Sequence, residues 1–199
     1  YSNTTGQYNT ALGYDALSAN TTAENNTAVG YLALTANTTG TRNVAVGTYA
    51  LDTASTGNDN VAIGYASMDD NTTGSNNVAV GKSALTNNTT ASNNTAVGYH
   101  TLITNTTGTE NSSFGANALA ANTTGAYNTG IGYQSLYSNT TGGSNTAVGQ
   151  DSMASNTTGA TNVAVGRRAL EDNTTASNAV AIGYAALRNN TTGESNVAI

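Results

Sequence analysis

Residues with acid–base, nucleophilic or metal-binding chemistry are few and dispersed along this chain. Its 199 residues include one histidine, His100, no cysteine, eleven Asp and Glu, and five Lys and Arg. Like charges adjoin as the pairs Asp69-Asp70, Arg167-Arg168 and Glu171-Asp172. A catalytic or metal site needs several such groups converging on one place. We therefore expect no enzyme activity, no metal and no cofactor, and a surface position for His100.

The charge distribution also argues against nucleic-acid and membrane partners. The formal net charge is −6, and Arg167-Arg168 is too short to form the basic stripe that nucleic-acid binding requires. Membrane insertion is not expected, because the sequence lacks the long apolar run of a spanning helix. The motif of calcium-binding nonapeptide repeats, G-G-x-G-x-D, has no copy either.

Two recurring features could bind a partner. Each Asn-Thr-Thr is formally an N-glycosylation signal, but glycans on every copy would crowd one another, and we favour a structural turn. Tyrosines also recur in one register, where they could stack on sugars or a neighbouring chain, or shield an edge of the fold. This tyrosine row consists of Tyr14, Tyr31, Tyr65, Tyr99, Tyr133 and Tyr184.

These features are arranged by a strict tandem repeat. Asn-Thr-Thr first occurs at Asn3 and recurs every 17 residues, with Ala54 at the one altered start. Numbering columns from that Asn, the consensus is N-T-T-G-x-x-N-(T/V)-A-(V/I)-G-x-x-A-L-x-x. We divide the single repeat domain into a partial coil 1–2, full repeats 3–189 and a partial repeat 190–199. Because both ends fall within a repeat, we expect a longer parent chain.

The repeat predicts an all-β fold. Seventeen residues are too few for the two helices of a helical repeat, and Gly, Asn and Thr disfavour helix interiors. Columns 7–10 instead alternate like a short strand. We predict a parallel β-solenoid (a β-roll or β-helix) of about twelve coils, one per repeat, stacked about 4.8 Å apart. Stacked Asn columns would form hydrogen-bonded ladders along it.

The placement of charges predicts the cross-section of each coil. All sixteen Asp, Glu, Lys and Arg residues, together with His100, fall in columns 5–6, 12–13 and 16–17. Burial of unpaired charge is costly, so these three pairs of columns should form solvated corners. We therefore predict a triangular or flattened coil.

Alternation along the strand assigns its two faces. We predict that the larger apolar residues of columns 8 and 10 point inward, together with Leu or Met of column 15. Columns 7, 9 and 11 would then form an outward face of small residues, covered by a partner because it never carries charge. The predicted core comprises Val29, Leu34, Val46, Leu51, Val80, Leu85, Val148, Met153, Val165 and Leu170. The predicted outward face comprises Asn26, Ala28, Gly30, Asn43, Ala45, Gly47, Asn77, Ala79, Gly81, Asn145, Ala147 and Gly149.

Two families share this pattern. Asn60-Val61-Ala62-Ile63-Gly64, followed by Tyr65-Ala66-Ser67, resembles the repeats in the heads of YadA-like trimeric autotransporter adhesins. The segment from Asn139-Thr140-Thr141-Gly142 to Ser152-Met153 resembles the repeats of phage tail-fibre-like proteins. The resemblance implies a homotrimeric structural rod for surface attachment, located outside the cell, on its surface or on a virion. It also implies a cell-surface or carbohydrate receptor as partner.

Two alternatives remain open. An ice-binding solenoid would use the Thr rows of columns 2, 3 and 8, although adjacent residues such as Thr38-Thr39 should not share a face. A self-assembling extracellular filament would stack chains end to end, because the open strand edges of terminal coils recruit partners.

Overall fold

The chain folds as a parallel β-solenoid, which confirms the predicted fold class. The computed structural model describes residues 2–54 and 56–199, and these contain twelve parallel strands in one sheet, without a helix. We number the coils from coil 1, which begins at Asn3, to coil 12, which begins at Asn190. The strands, one per coil, are β1 (Thr10–Leu12), β2 (Thr27–Val29), β3 (Val44–Val46), β4 (Val61–Ile63), β5 (Val78–Val80), β6 (Thr95–Val97), β7 (Ser112–Phe114), β8 (Thr129–Ile131), β9 (Thr146–Val148), β10 (Val163–Val165), β11 (Val180–Ile182) and β12 (Val197–Ala198).

Hydrogen bonds join successive coils around the whole circumference, not only in the strands. Within the sheet, identical columns pair, so Ala28 lies opposite Ala45. Outside it, the amide of Leu34 donates to the carbonyl of Ala50 at 3.0 Å, and that of Asn25 donates to Gln7 at 3.0 Å. The backbone groups of each coil are thus satisfied mainly by its neighbours, which explains why the repeat tolerates no insertion.

Each coil closes through residues with positive φ in columns 6, 13 and 15. In coil 3 these are Arg42, Tyr49 and Leu51, with φ of 59°, 57° and 54°. This conformation costs a non-glycine residue about 1 kcal/mol. Two tight turns flank the column-15 leucine, in which Ala50 donates to Gly47 at 3.3 Å and Ala54 donates to Leu51 at 3.4 Å. Inter-coil hydrogen bonds and the burial of leucine offset that local cost.

The core is a thin stack of one large side chain per coil, surrounded by alanine and asparagine. The largest fully buried apolar side chains occupy column 15, and Leu34, Leu51, Leu85, Met153 and Leu170 lie in the core as predicted. Columns 9 and 14, mostly alanine, complete the apolar interior. Asparagines of columns 1 and 7 are buried beside them.

The two faces of the strand are the reverse of the prediction. In strands such as β2, β3, β5 and β9, the central residue is buried and the residues on either side of it are only half-buried. Column 9 therefore points inward, and columns 8 and 10 point outward. The buried residues Asn26, Ala28, Asn43, Ala45, Asn77, Ala79, Asn145 and Ala147 therefore line the interior, not an outward face. The predicted core residues Val29, Val46, Val80 and Val148 are half-buried on the outer side, and Val165 is 37% exposed there.

The glycines assigned to the outward face are small for a different reason from the one predicted. No partner chain is needed to explain them, because a Cβ added to Gly30 would lie 2.5 Å from the carbonyl oxygen of Gly47 in the next coil. Gly30, Gly47, Gly81 and Gly149 all have φ between 132° and 139°, which side chains rarely adopt. The next coil of the same chain therefore excludes side chains from column 11.

The charged columns are solvated, as predicted. Every charged side chain among the described residues is half-buried or exposed. Some form ion pairs between adjacent coils, such as Arg42 Nε with Asp59 at 2.6 Å and Arg188 Nε with Glu171 at 2.6 Å. Columns 2 and 3 add a further solvated stretch that charge placement did not reveal, because it carries threonine.

Candidate binding surfaces

One uncharged surface is the outer side of the sheet. We call it the strand face, and it consists of the column-8 and column-10 side chains of β1 to β12. Column 8 carries Thr, Val or Ser and column 10 carries Val, Ile, Leu or Phe. These rows are about 6.7 Å apart and repeat about every 4.8 Å along the rod. Ile63 and Phe114 are 40% and 42% exposed, so the column-10 row is apolar and accessible, whereas hydroxyl and valine side chains share column 8.

Two buried asparagine ladders hold successive coils in register beneath this face. In column 7, the amide nitrogen of Asn43 donates to Asn26 Oδ1 at 2.9 Å, and Asn43 Nδ2 donates to Gly57 at 2.8 Å. In column 1, Asn37 Nδ2 donates to Asn20 Oδ1 at 3.0 Å and to Gly40 at 3.0 Å. Satisfied amides can be buried at little cost, which is why asparagine can occupy an interior that excludes charge.

The Asn-Thr-Thr segments are structural turns whose asparagine side chains lie inside the solenoid. Asn37, Asn88 and Asn122 are fully buried. Each of these Nδ2 groups donates across the turn to the residue three positions later, as Asn122 does to Gly125 at 2.9 Å. A glycan on this nitrogen would need the space that the ladder fills. The folded interior therefore excludes glycosylation at these asparagines.

The predicted tyrosine row is real at its start but includes an unpredicted member. Tyr14 and Tyr31 stack with ring centroids 5.4 Å apart. Tyr49, which lies in column 13 and was missed because it is one position out of register, sits between Tyr31 and Tyr65 at 5.6 Å and 6.0 Å. Tyr14 and Tyr31 thus cover one ring face of each other, whereas Tyr49 meets Tyr31 and Tyr65 edge-on.

Beyond Tyr65 the row is interrupted in alternate coils by Lys82, Ala116 and Gln150, and then by Arg167. Lys82 Nζ lies 5.9 Å from the ring centroid of Tyr65 and 5.8 Å from that of Tyr99, within the range of cation–π attraction. Tyr133 and Tyr184 belong to the same column, and Arg167 lies 6.0 Å from the Tyr184 ring. The six predicted tyrosines are thus not one continuous stack.

A short acidic stretch adjoins the tyrosine row. Partial burial, together with the neighbouring carboxylates of Asp52 and Asp70, raises the pKa of Asp69 to about 6. Burial likewise raises the pKa of Asp52, although a hydrogen bond from Thr35 opposes that effect. No three His, Cys, Asp or Glu side chains within residues 2–54 and 56–199 are grouped so as to hold a metal ion.

A cleft of about 250 Å³ opens on coils 6 to 8. It lies at columns 13, 16 and 17, away from the strand face, and the repeat consensus did not predict it. His100 was expected at the surface, and the structure places it half-buried in the wall of this cleft. The lining residues are His100, Ile103, Thr104, Asn117, Ala120, Ala121 and Tyr137.

The fold and these surfaces define the class of protein: a β-solenoid built from tandem 17-residue repeats. No known protein family, curated protein or solved structure matches the chain significantly. Within the described ranges, no helix has the length and apolar character needed to cross a membrane. Function must therefore be inferred from the surfaces themselves.

Proposed function

We propose that this chain is a structural rod that assembles with further copies of itself through the strand face, as part of an extracellular attachment fibre or adhesin. The observation that carries the proposal is the uncharged strand face with its apolar column-10 row, which runs the full length of the solenoid. The resemblance to trimeric adhesin heads and tail-fibre repeats supports three copies around one axis.

The absence of charge from the strand face calls for a cause outside the single chain. Columns 7, 9 and 11 exclude charge because they are buried or tightly packed within the solenoid. Columns 8 and 10 have no such restriction, yet every one of their residues is uncharged. A continuous exposed apolar row on an uncharged strip of surface is typical of an interaction site. Contact with other copies would keep these rows dry.

The dimensions of the face indicate how strong this association should be. Twelve strands at about 4.8 Å give a rod about 55 Å long, and two rows about 7 Å apart give a strip of several hundred Å². A stable interface buries about 800 Å² on each partner. Because the strip alone is smaller than this, we expect side chains of column 12 to contribute at the rim of the interface. We also expect association of the chain to be weak enough to depend on concentration.

The test is sedimentation of the native chain beside two lysine variants of coil 3. Val46→Lys places a charge on the strand face, and Thr39→Lys places one on an exposed position of the same coil. We expect the native chain and Thr39→Lys to associate as concentration rises, and Val46→Lys to remain monomeric with an unchanged circular dichroism spectrum. A native chain that stays monomeric at millimolar concentration would overturn the proposal.

Ice binding is the second candidate, because the structure removes one objection to it. A column that mixes Thr and Val looks like an interior position, yet column 8 lies on the outside, where Thr27, Thr95 and Thr146 are half-buried. Threonines of column 2 are less suited, since hydroxyls such as that of Thr123 donate to the next coil, here to Thr140 at 3.1 Å. Thermal hysteresis that Val46→Lys abolishes, without any self-association of the native chain, would favour ice binding.

End-to-end stacking is distinguishable from packing through the strand face. The outer edges of β1 and β12 have no strand partner among the described residues, and open edges can pair with another chain. Filaments one solenoid wide in electron micrographs, formed equally by Val46→Lys, would support that alternative.

A further inference from the structure

We propose that the cleft on coils 6 to 8 binds one neutral hexose unit of a glycan. This inference rests on the proposed attachment role, because it names the class of ligand to which the rod would attach. The cleft lies off the strand face, so glycan binding and self-association can succeed or fail separately.

The cleft arises because coil 7 carries small residues where its neighbours carry large ones. Ala120 and Ala121 occupy columns 16 and 17 of coil 7 and form the floor. Ile103 of coil 6 and Tyr137 of coil 8 stand on either side of Ala120 in the same column. Because coils are about 4.8 Å apart, these walls are separated by about 10 Å between backbones. That width and the volume of about 250 Å³ suit one pyranose ring.

The lining selects an uncharged, amphipathic ligand. None of the lining residues is an acid, Lys or Arg, and the floor consists of methyl groups. The phenol ring of Tyr137 is 42% exposed and, unlike the stacked Tyr14 and Tyr31, has no aromatic partner within the described residues. Its face can therefore pack against the C–H face of a sugar ring, as apolar groups pack on aromatic rings.

Polar groups are placed to bind the hydroxyl edge of such a ring. Asn117 is half-buried, and its side-chain amide makes no hydrogen bond within the described part of the chain, so it can both donate and accept. His100 stacks on Tyr99 with centroids 3.7 Å apart, which fixes its imidazole at the wall. Thr104 Oγ1 lies within hydrogen-bond distance of the carbonyls of Ala120 and Asn122, at 2.6 Å and 3.0 Å, and keeps lone pairs that can accept from a hydroxyl. A few polar groups in a largely apolar cleft are typical of small-ligand sites.

The test is a titration of the nitrogen-15-labelled full chain, monitored by NMR, with the methyl glycosides of glucose, galactose and mannose as probes. We expect at least one of them to shift amide signals of coils 6 to 8 alone. Ala120→Leu fills the floor and should weaken that binding by at least about tenfold, equivalent to about 1.4 kcal/mol. Ser18→Leu adds the same side chain in the same column of coil 1 and should leave binding unchanged.

A second variant guards against misfolding of the first. Tyr137→Ser removes the aromatic wall but installs a residue that column 16 already accommodates at Ser18, so the coil should form normally. It should also weaken binding by about tenfold. The assembly-deficient Val46→Lys variant should bind as the native chain does. The proposal is overturned if none of the three glycosides shifts these signals, or if Ala120→Leu and Tyr137→Ser bind as tightly as Ser18→Leu.

Discussion

Leu119 lies directly against Gly130, and the space between them admits no more than a methyl group. A Cβ added to Gly130 would stand 3.3 Å from both Cγ and Cδ1 of Leu119, and 3.1 Å from Ser135 Oγ. Leu119 belongs to column 15 of coil 7, and Gly130 to column 9 of coil 8. The interior is therefore so thin that one leucine per coil fills it, and only the small residues of the strand can face it.

Gly98 and Gly183 occupy the same column but differ in their surroundings. A Cβ on Gly98 would meet the carbonyl oxygen of Gly115 at 2.6 Å, whereas one on Gly183 would meet nothing within 4 Å. Both have positive φ, so each Ala variant carries strain of about 1 kcal/mol. We expect Gly98→Ala to lower the free energy of unfolding by about 2 kcal/mol more than Gly183→Ala does, because its methyl group overpacks the next coil. Urea unfolding measures both, and equal losses would contradict the close stacking of column 11.

Ala54 interrupts the column-1 asparagine ladder and leaves Asn37 Oδ1 buried. Within the described part of the chain, that oxygen has no hydrogen-bond partner. Ala54→Asn would supply the missing donor and should raise the free energy of unfolding by about 1 kcal/mol. Ala45→Asn, which buries an amide in column 9 outside either ladder, should lower it instead. Urea midpoints of the two variants test this, and a lowered midpoint for Ala54→Asn would show that the ladder does not extend through coil 4.

Much of this fold was predictable from the sequence, because equivalent positions in all the coils share one environment. The residue types found in each column therefore indicate whether that position is buried or solvated. The period gave the number of coils, and the charged columns gave the solvated corners. The orientation of the strand was wrong because larger apolar residues were assumed to point inward. That assumption fails here, since Leu119 already fills the space opposite Gly130, and buried asparagines such as Asn43 are satisfied by their ladder.

Asp69 should make the chain less stable as pH rises. Its pKa in the folded state is about 6, above its ordinary value of 3.8, so the folded chain holds the proton more tightly. The stabilising contribution is complete below about pH 4 and is lost by about pH 6. We expect Asp69→Asn to stabilise the chain at pH 7, because it removes a negative charge that the folded state disfavours. The gain should be only about 1 kcal/mol, because solvent screens this half-exposed carboxylate.

The matched variant for Asp69 is Asp52→Asn, because Asp52 is one of the charges that raise the Asp69 pKa. It should move the loss of stability to lower pH without abolishing it. Thermal unfolding between pH 4 and pH 7 measures both variants. An unchanged pH profile in Asp69→Asn would show that another group is responsible.

Neighbouring glycosylation signals should differ sharply in reactivity. Asn87, in Asn87-Asn88-Thr89, is exposed, whereas Asn88, in Asn88-Thr89-Thr90, is fully buried. We expect a purified oligosaccharyltransferase to modify Asn87 but not Asn88 in the folded chain, and both after denaturation. Peptide mapping by mass spectrometry distinguishes them. A glycan on Asn88 of the folded chain would contradict the buried ladder.

The candidate surfaces were less predictable than the fold, for a physical reason. A cleft forms where one coil departs from its neighbours, as Ala120 does between Ile103 and Tyr137, and a consensus averages such differences away. Tyr49 escaped the predicted row likewise, because it reaches Tyr31 and Tyr65 from the adjacent column. The repeat consensus therefore predicts the structure common to all coils, whereas a cleft depends on residues that differ in a single coil.

The orientation of the strand is tested most directly by thiol labelling at two consecutive positions of β5. The chain has no cysteine, so single Ala79→Cys and Val80→Cys variants report only on those positions. In dilute solution, a thiol at position 80 should react in the folded chain, and one at position 79 should react only after urea unfolds the protein. Protection at position 80 with rapid labelling at position 79 would show that the strand face points inward and would remove the basis for the proposed assembly.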